Sequence, residues 1–149
     1  MQVKDIVKPA VIISEDDTFA VALEAMMNQH TNTLLVSGED GELTGEVTVT
    51  DLLAALVPDI LNGNEVMRHF STDDAFIDSI DIVKDLPVSE FMSRDYSALT
   101  LQDNLMSIIA TAITNERARI PVIDEEGRPI GIISRQGLRQ ILHKFLRAK

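Results

Sequence analysis

Cysteine and tryptophan are both absent from this chain of 149 residues. Without cysteine there is no disulfide framework, no thiolate nucleophile and no Cys-ligated zinc, while either redox compartment stays open. Positive charge is scarce: 13 Lys and Arg stand against 24 Asp and Glu, for a formal net charge of -11. General nucleic-acid binding depends on neutralising phosphates with Lys and Arg, so that class is set aside, although a phosphorylated small molecule can bind where basic residues are concentrated. Long apolar runs are also missing. The stretches Leu52 to Val57 and Ile108 to Ile113 fall far short of the roughly 20 residues of a membrane span. The start, Met1-Gln2-Val3-Lys4-Asp5, has no signal-peptide core. The expectation is a cytoplasmic protein with no membrane association.

Catalytic and metal-binding patterns are equally sparse. His30, His69 and His143 lie far apart, with no His-x-x-x-His or His-Glu pairing. No serine sits in a nucleophile elbow and no Gly-x-x-x-x-Gly-Lys loop occurs. Paired acids at Asp16-Asp17 and Asp73-Asp74 stand at expected helix starts, where capping accounts for them. No catalytic residue, metal ligand or required cofactor is assigned, and the chain is not read as an enzyme.

What is present is a repetition. Val47-Thr48-Val49-Thr50-Asp51-Leu52 recurs as Ile133-Ser134-Arg135-Gln136-Gly137-Leu138, 86 positions later, behind matching glycines at Gly45 and Gly131. The same offset pairs Gly41 with Gly127, Glu39 with Glu125 and Asp17 with Asp103. The length suits one domain or two small subdomains sharing a core, and 45% hydrophobic residues suit a globular protein. Two copies of a small unit are expected to pack together and to bind a ligand in the cleft between them.

The apolar spacing changes in the same order within each copy. Residues 18–30 place Phe19, Ala22, Leu23, Met26 and Met27 on one helical face, with Asp16 or Asp17 as the expected N-cap. Thr33 to Val36 reads as a buried strand, Glu39 to Glu42 as a tight turn, and Leu43 to Thr48 as an antiparallel return. A short helix is expected from about Thr50. In the second copy Leu105, Ile108, Ile109 and Ile113 line the helix, Arg119 to Ile123 form the strand, Glu125 to Arg128 the turn and Ile130 to Ser134 the return. The closing helix runs from about Gln136 towards Phe145. First strands are expected near Ala10 to Ile13 and Tyr96 to Leu99, so each copy reads β-α-β-β-α. Residues 58–85 belong to neither copy. There Pro58 and Asn62-Gly63-Asn64 interrupt a helix, and Ser71-Thr72-Asp73-Asp74 reads as an N-cap ahead of Ala75 to Val83, in an acidic segment carrying Phe70, Phe76, Ile77 and Ile80.

Thr48-x-x-Asp51 has two readings. It is the signature of a helix capping box, and it also sets a carboxylate where the vicinal hydroxyls of a ribose can be held. Gly137 stands at the matching place in the second copy, so Ser134-x-x-Gly137 cannot grip a diol in that way. Arg135 there reads either as a phosphate contact or as a solvated surface residue.

Each copy resembles a CBS motif, and the chain resembles a stand-alone tandem CBS pair, or Bateman module. The marks are Val3-Lys4-Asp5-Ile6-Val7 and Val88-Ser89-Glu90-Phe91-Met92 at the copy starts, Pro121-Val122-Ile123-Asp124, and the glycine-to-Ser/Thr-to-Asp pattern closing the units, from which the second copy departs at Gly137. The resemblance implies an α+β fold. Residues 1–57 and 86–149 would form a pseudo-twofold pair, with a helical insert over residues 58–85. It implies a regulatory sensor for AMP, ADP, ATP or S-adenosylmethionine, with Mg²⁺ possible. By analogy Asp51 holds ribose hydroxyls and Thr48 contacts ribose or phosphate, and Tyr96, Ser97, Ala98, Arg117, Ala118 and Arg119 form the opposite wall near Thr31 and Glu46. Ser134 and Arg135 would make a weaker second site. A homodimer is expected through the helical faces around Met26, Met27, Met106 and Ile109, signalling to an unidentified effector protein. The alternative is a ligand-independent interaction scaffold that works through the acidic insert.

Overall fold

The structure, a computed structural model, describes residues 1–57, 73–114 and 119–148. In the first copy β1 (Ile12–Ser14) lies parallel to β2 (Thr33–Ser37), and β2 is antiparallel to β3 (Leu43–Thr48). Strand β2 is central in this sheet, which explains why Leu34, Leu35 and Val36 are all buried rather than alternating. Helix α1 (Phe19–Gln29) precedes β2 and α2 (Val49–Ala55) follows β3. The second copy repeats this with α4 (Leu105–Thr114), β4 (Ile120–Ile123), β5 (Pro129–Ile133) and α5 (Arg135–Arg147), while α3 (Asp73–Val83) lies between the copies. The α+β pair of expected motifs is therefore present.

The duplication extends to backbone detail. Leu34 pairs with Val47 and Ile120 with Ile133, and both hairpins shift register one residue before the strand ends, at Val36/Ser37 and at Val122/Ile123. Gly41 and Gly127 both take positive φ, 85° and 81°, as their tight turns require.

The expectations need correction in several places. Thr18 caps α1, accepting from Val21 N at 3.2 Å, whereas Asp17 accepts from Ser14 N at 2.9 Å and closes the preceding turn. A hydroxyl one residue before the helix reaches the third amide, and an acid further back does not. Phe19, Ala22 and Met26 face the core of α1, but Leu23 and Met27 are exposed, because the buried stripe of a short helix on a small sheet is narrow. Ile113 is likewise exposed. Residues 96–99 do not form a strand. Leu99 alone bridges Val122, while Tyr96 turns towards the first copy. The proposed cap at Ser71 and Thr72, the breaks at Pro58 and Asn62 to Asn64, and Phe70 lie outside the described residues.

Each core takes a piece from the other copy. The short 3-10 turn Val3–Asp5 starts the first copy, yet Val3 packs with Leu99, Ile108, Ile120, Val122, Ile133 and Ile141 of the second. Reciprocally, Val88 and Met92 pack with Ile13, Phe19, Leu34 and Val47 of the first copy. Val3 and Val88 are both fully buried, each such burial contributing about 2 kcal/mol. Backbone pairs fix the exchange. Lys8 and Ile132 trade hydrogen bonds of 2.9 and 2.8 Å, and Glu46 and Ser93 do the same at 2.9 and 2.8 Å. The two copies thereby become one interlocked body, and the cleft between them has firm walls.

Candidate functional site

A cleft of about 1130 Å³ opens between the copies. Its first wall is the turn from β3 into α2, with Thr48, Val49, Thr50 and Asp51, flanked by Asn32, Thr33 and Glu46. The second copy contributes Asp95, Tyr96, Ser97, Thr114 and Arg119, together with the start of α5 at Ser134, Arg135 and Gln136.

The geometry at Thr48 and Asp51 is a capping box. Thr48 Oγ1 accepts from Asp51 N at 3.2 Å, and Asp51 Oδ2 accepts from Thr48 N at 2.9 Å and from the Thr48 hydroxyl at 3.1 Å. Both backbone amides are satisfied by side chains, which fixes the Asp51 carboxylate at the cleft wall. A carboxylate has about four acceptor positions, so the capping role leaves capacity for a diol. The two readings of this motif are compatible.

Ser134 takes the place of Thr48 in the second copy and accepts from Gly137 N at 3.1 Å. The reciprocal half of the box is missing because Gly137 has no side chain. A Cβ added there would meet nothing closer than Ser134 Oγ at 3.7 Å, so space does not demand glycine. Asp95, Tyr96 and Ser97 line the cleft, whereas Pro9, Ala10 and Val11, their counterparts in the duplication, do not.

Three hydrogen bonds tie the copies together around the cleft. Arg119 Nη1 donates to Thr33 Oγ1 at 2.9 Å. The Tyr96 hydroxyl donates to the Leu43 carbonyl at 3.0 Å, while Leu43 N donates to the Gly127 carbonyl at 2.8 Å. Burial, and then the nearby Glu46 carboxylate, push the Tyr96 hydroxyl above its ordinary value of 10.0, against a smaller opposing effect of Arg94. Tyr96 is therefore a neutral donor at physiological pH. Glu46 is almost fully buried, with 1% exposure.

Of the residues singled out from the sequence, Thr48, Asp51, Glu46, Tyr96, Ser97, Arg119, Ser134 and Arg135 meet in this cleft. Thr31 does not line it. Its hydroxyl is used locally, donating to the Thr33 carbonyl at 3.1 Å and accepting from Thr33 N. Ala98 is also set back, beside the Leu99 bridge. Arg117 and Ala118 lie outside the described residues. Sequence reading passed over Asn32, Thr33, Asp95, Thr114 and Gln136. Thr33 carried a signal, since the 86-residue offset pairs it with Arg119. Gln136 is held by Lys8, whose Nζ donates to its Oε1 at 3.2 Å, an approach that only the exchanged N-terminus creates.

The family model described as CBS domain matches residues 3–58 and 88–144. An uncharacterized protein of Methanocaldococcus jannaschii is 24% identical over 157 residues, which cover 95% of this chain and 91% of that one. A CBS-domain protein of unknown function from Bacillus anthracis superposes with a TM-score of 0.75 at 16% identity, over 97% of this chain and 94% of that one. CBSX2, solved in complex with AMP, superposes with a TM-score of 0.71 at 21% identity, over 98% of each chain.

Proposed function

The chain belongs to the CBS-domain family as a tandem pair, and on that premise we propose that it is a regulatory module binding an adenosine-containing ligand, AMP, ADP, ATP or S-adenosylmethionine, between its two motifs. The observation that carries this reading is the placement of the Asp51 carboxylate and the Arg119 guanidinium in one polar cleft. An acid suited to ribose hydroxyls and a cation suited to phosphate are the two charges a nucleotide needs. The AMP complex of CBSX2, a protein of the same fold, supports the same ligand class.

In this reading Asp51 accepts from the ribose hydroxyls, and Thr48 and Thr50 offer hydroxyls beside them. Asp95, Tyr96 and Ser97 face the base. Arg119 leaves Thr33 to meet a phosphate, and Ser134 with Arg135 serves the outer phosphates or a weaker second molecule. Any Mg²⁺ that accompanies the ligand rides on its phosphates in this reading. The module works in the cytoplasm as a homodimer and passes its state to a separate effector protein. A ligand acts only through its different affinity for two packings of the copies, and the interlocked leaders make that packing a property of the whole body.

The test is thermal unfolding against AMP, ADP, ATP, S-adenosylmethionine and GTP, each with and without Mg²⁺. Ligand at about 100 times its dissociation constant adds about 2.7 kcal/mol, a shift of several degrees. Stabilisation by adenosine ligands and not by GTP is the expected result. No shift with any of them would replace the sensor with a ligand-independent scaffold.

A further inference from the structure

The two copies differ in one buried side chain at a point where their backbones agree. Glu46 pairs with Leu35 in the first hairpin and bridges Ser93 of the crossing leader. At the 86-residue offset Ile132 pairs with Pro121 and bridges Lys8 in the same way. An apolar side chain therefore serves the fold at this register. Yet Glu46 is 1% exposed, and burying a carboxylate carries a desolvation cost that burying an isoleucine does not. Glu46 lines the cleft and Ile132 does not, so the acid borders the ligand space in the copy that holds Thr48 and Asp51.

Its position fits one part of a nucleoside. Glu46 lies two residues before Thr48 in β3, so the two side chains leave the strand on one face, about 7 Å apart. That is the reach from a ribose to the far edge of its purine. Tyr96 stands close by, since burial, and then the charge of Glu46, raise its hydroxyl. A carboxylate has about four acceptor positions, enough for contacts within the protein and for a donor from a ligand.

We propose that Glu46 selects the base, accepting a hydrogen bond from the 6-amino group of adenine. This inference rests on the nucleotide reading and assigns a residue to its base end. A 6-oxo purine would set its carbonyl oxygen against the carboxylate, two acceptors without a proton between them. Guanine offers a carboxylate its N1–H and 2-amino group together, but that two-point grip needs both oxygens open, and only an edge of Glu46 borders the cleft. The second copy has Ile132 in place of Glu46 and Gly137 in place of Asp51. Base and sugar are thus read by acids of the same copy.

The test is titration calorimetry of the full chain with AMP, with purine riboside 5′-monophosphate, which lacks only the 6-amino group, and with GMP. The parent should bind AMP about tenfold or more tighter than the purine riboside, as expected where a buried acceptor loses its donor. Glu46→Ile, which copies the second motif, should bring the two affinities together by weakening AMP alone. A role confined to the fold would instead weaken both ligands equally. If Glu46→Ile does not unfold cooperatively, Glu46→Gln, which keeps one acceptor but loses the charge, should narrow the ratio severalfold. Equal affinity of the parent for AMP and the purine riboside, a ratio unchanged in the variants, or tighter binding of GMP than of AMP overturns the role of Glu46 and leaves the ribose site standing. A parent that binds none of the three overturns the nucleotide reading together with this inference.

Discussion

Arg119 and Thr33 hold the same position in the two copies and hydrogen-bond to each other at 2.9 Å across the cleft. Duplication puts equivalent residues face to face at the local two-fold axis, and here they have diverged into a donor and an acceptor. Arg119→Gln therefore removes the guanidinium proposed to meet the phosphate without changing a buried residue. A charge-assisted hydrogen bond is worth about 1.5 to 3 kcal/mol, so nucleotide affinity should fall at least tenfold. Stability should change by less than about 1 kcal/mol, as expected for a partly exposed contact. Titration calorimetry beside urea unfolding separates the two effects.

Three glycines should respond in opposite directions. A Cβ on Gly45 would meet Met92 Sδ at 2.7 Å and the Ser93 carbonyl at 2.8 Å, and one on Gly131 would meet the Lys8 carbonyl at 2.6 Å. These are the points where each leader crosses the other copy, so Gly45→Ala and Gly131→Ala should each cost about 1 to 3 kcal/mol through overpacking. A Cβ on Gly137, in the first turn of α5, would meet its neighbours only at ordinary contact distances of 3.7 to 4.0 Å, and Gly137→Ala should gain about 0.5 to 1 kcal/mol from helix propensity. Urea unfolding of the three variants reads the signs directly.

Tyr96 makes stability depend on alkaline pH. Its hydroxyl ionises above 10.0 in the folded protein, because burial and Glu46 disfavour the phenolate. The folded state therefore holds this proton more tightly than the unfolded chain does. The contribution is complete below the unfolded value and is lost as pH rises through the folded one. As the chain has one tyrosine, phenolate absorbance reports this group alone, and the native titration should lie above that of the urea-unfolded chain. Tyr96→Phe should remove the contribution and cost about 1 kcal/mol for the bond to Leu43.

The repeat units were legible because their cause is local. Apolar periodicity, turn glycines and capping residues act within about ten positions, so both hairpins and both long helices could be read from Phe19 to Thr48 and from Leu105 to Ser134. The exchange of Val3 and Val88 between cores was not legible. A leader of the pattern Val-x-x-Ile-Val or Val-x-x-Phe-Met satisfies either core equally, and only the three-dimensional path decides. At the cleft, Thr48, Asp51 and Ser134 could be found because strand-to-helix turns carry a motif. Asp95 and Gln136 reach the cleft through crossings such as Glu46 with Ser93, for which linear spacing holds no signal. Tyr96 to Leu99 failed as a strand because only Leu99 meets the sheet.

The affinity of Asp51→Asn for AMP, measured by calorimetry beside the parent, tests the nucleotide site most directly. Asparagine keeps the size of the side chain and an acceptor for Thr48 N, so α2 should stay capped, while the carboxylate proposed to hold the ribose is lost. The parent is expected to bind AMP in the cleft and the variant at least tenfold more weakly, about 1.4 kcal/mol, with both unfolding cooperatively. Equal affinity in the two proteins would contradict the ribose site at Asp51, and a parent that binds no adenosine ligand at all would contradict the sensor itself.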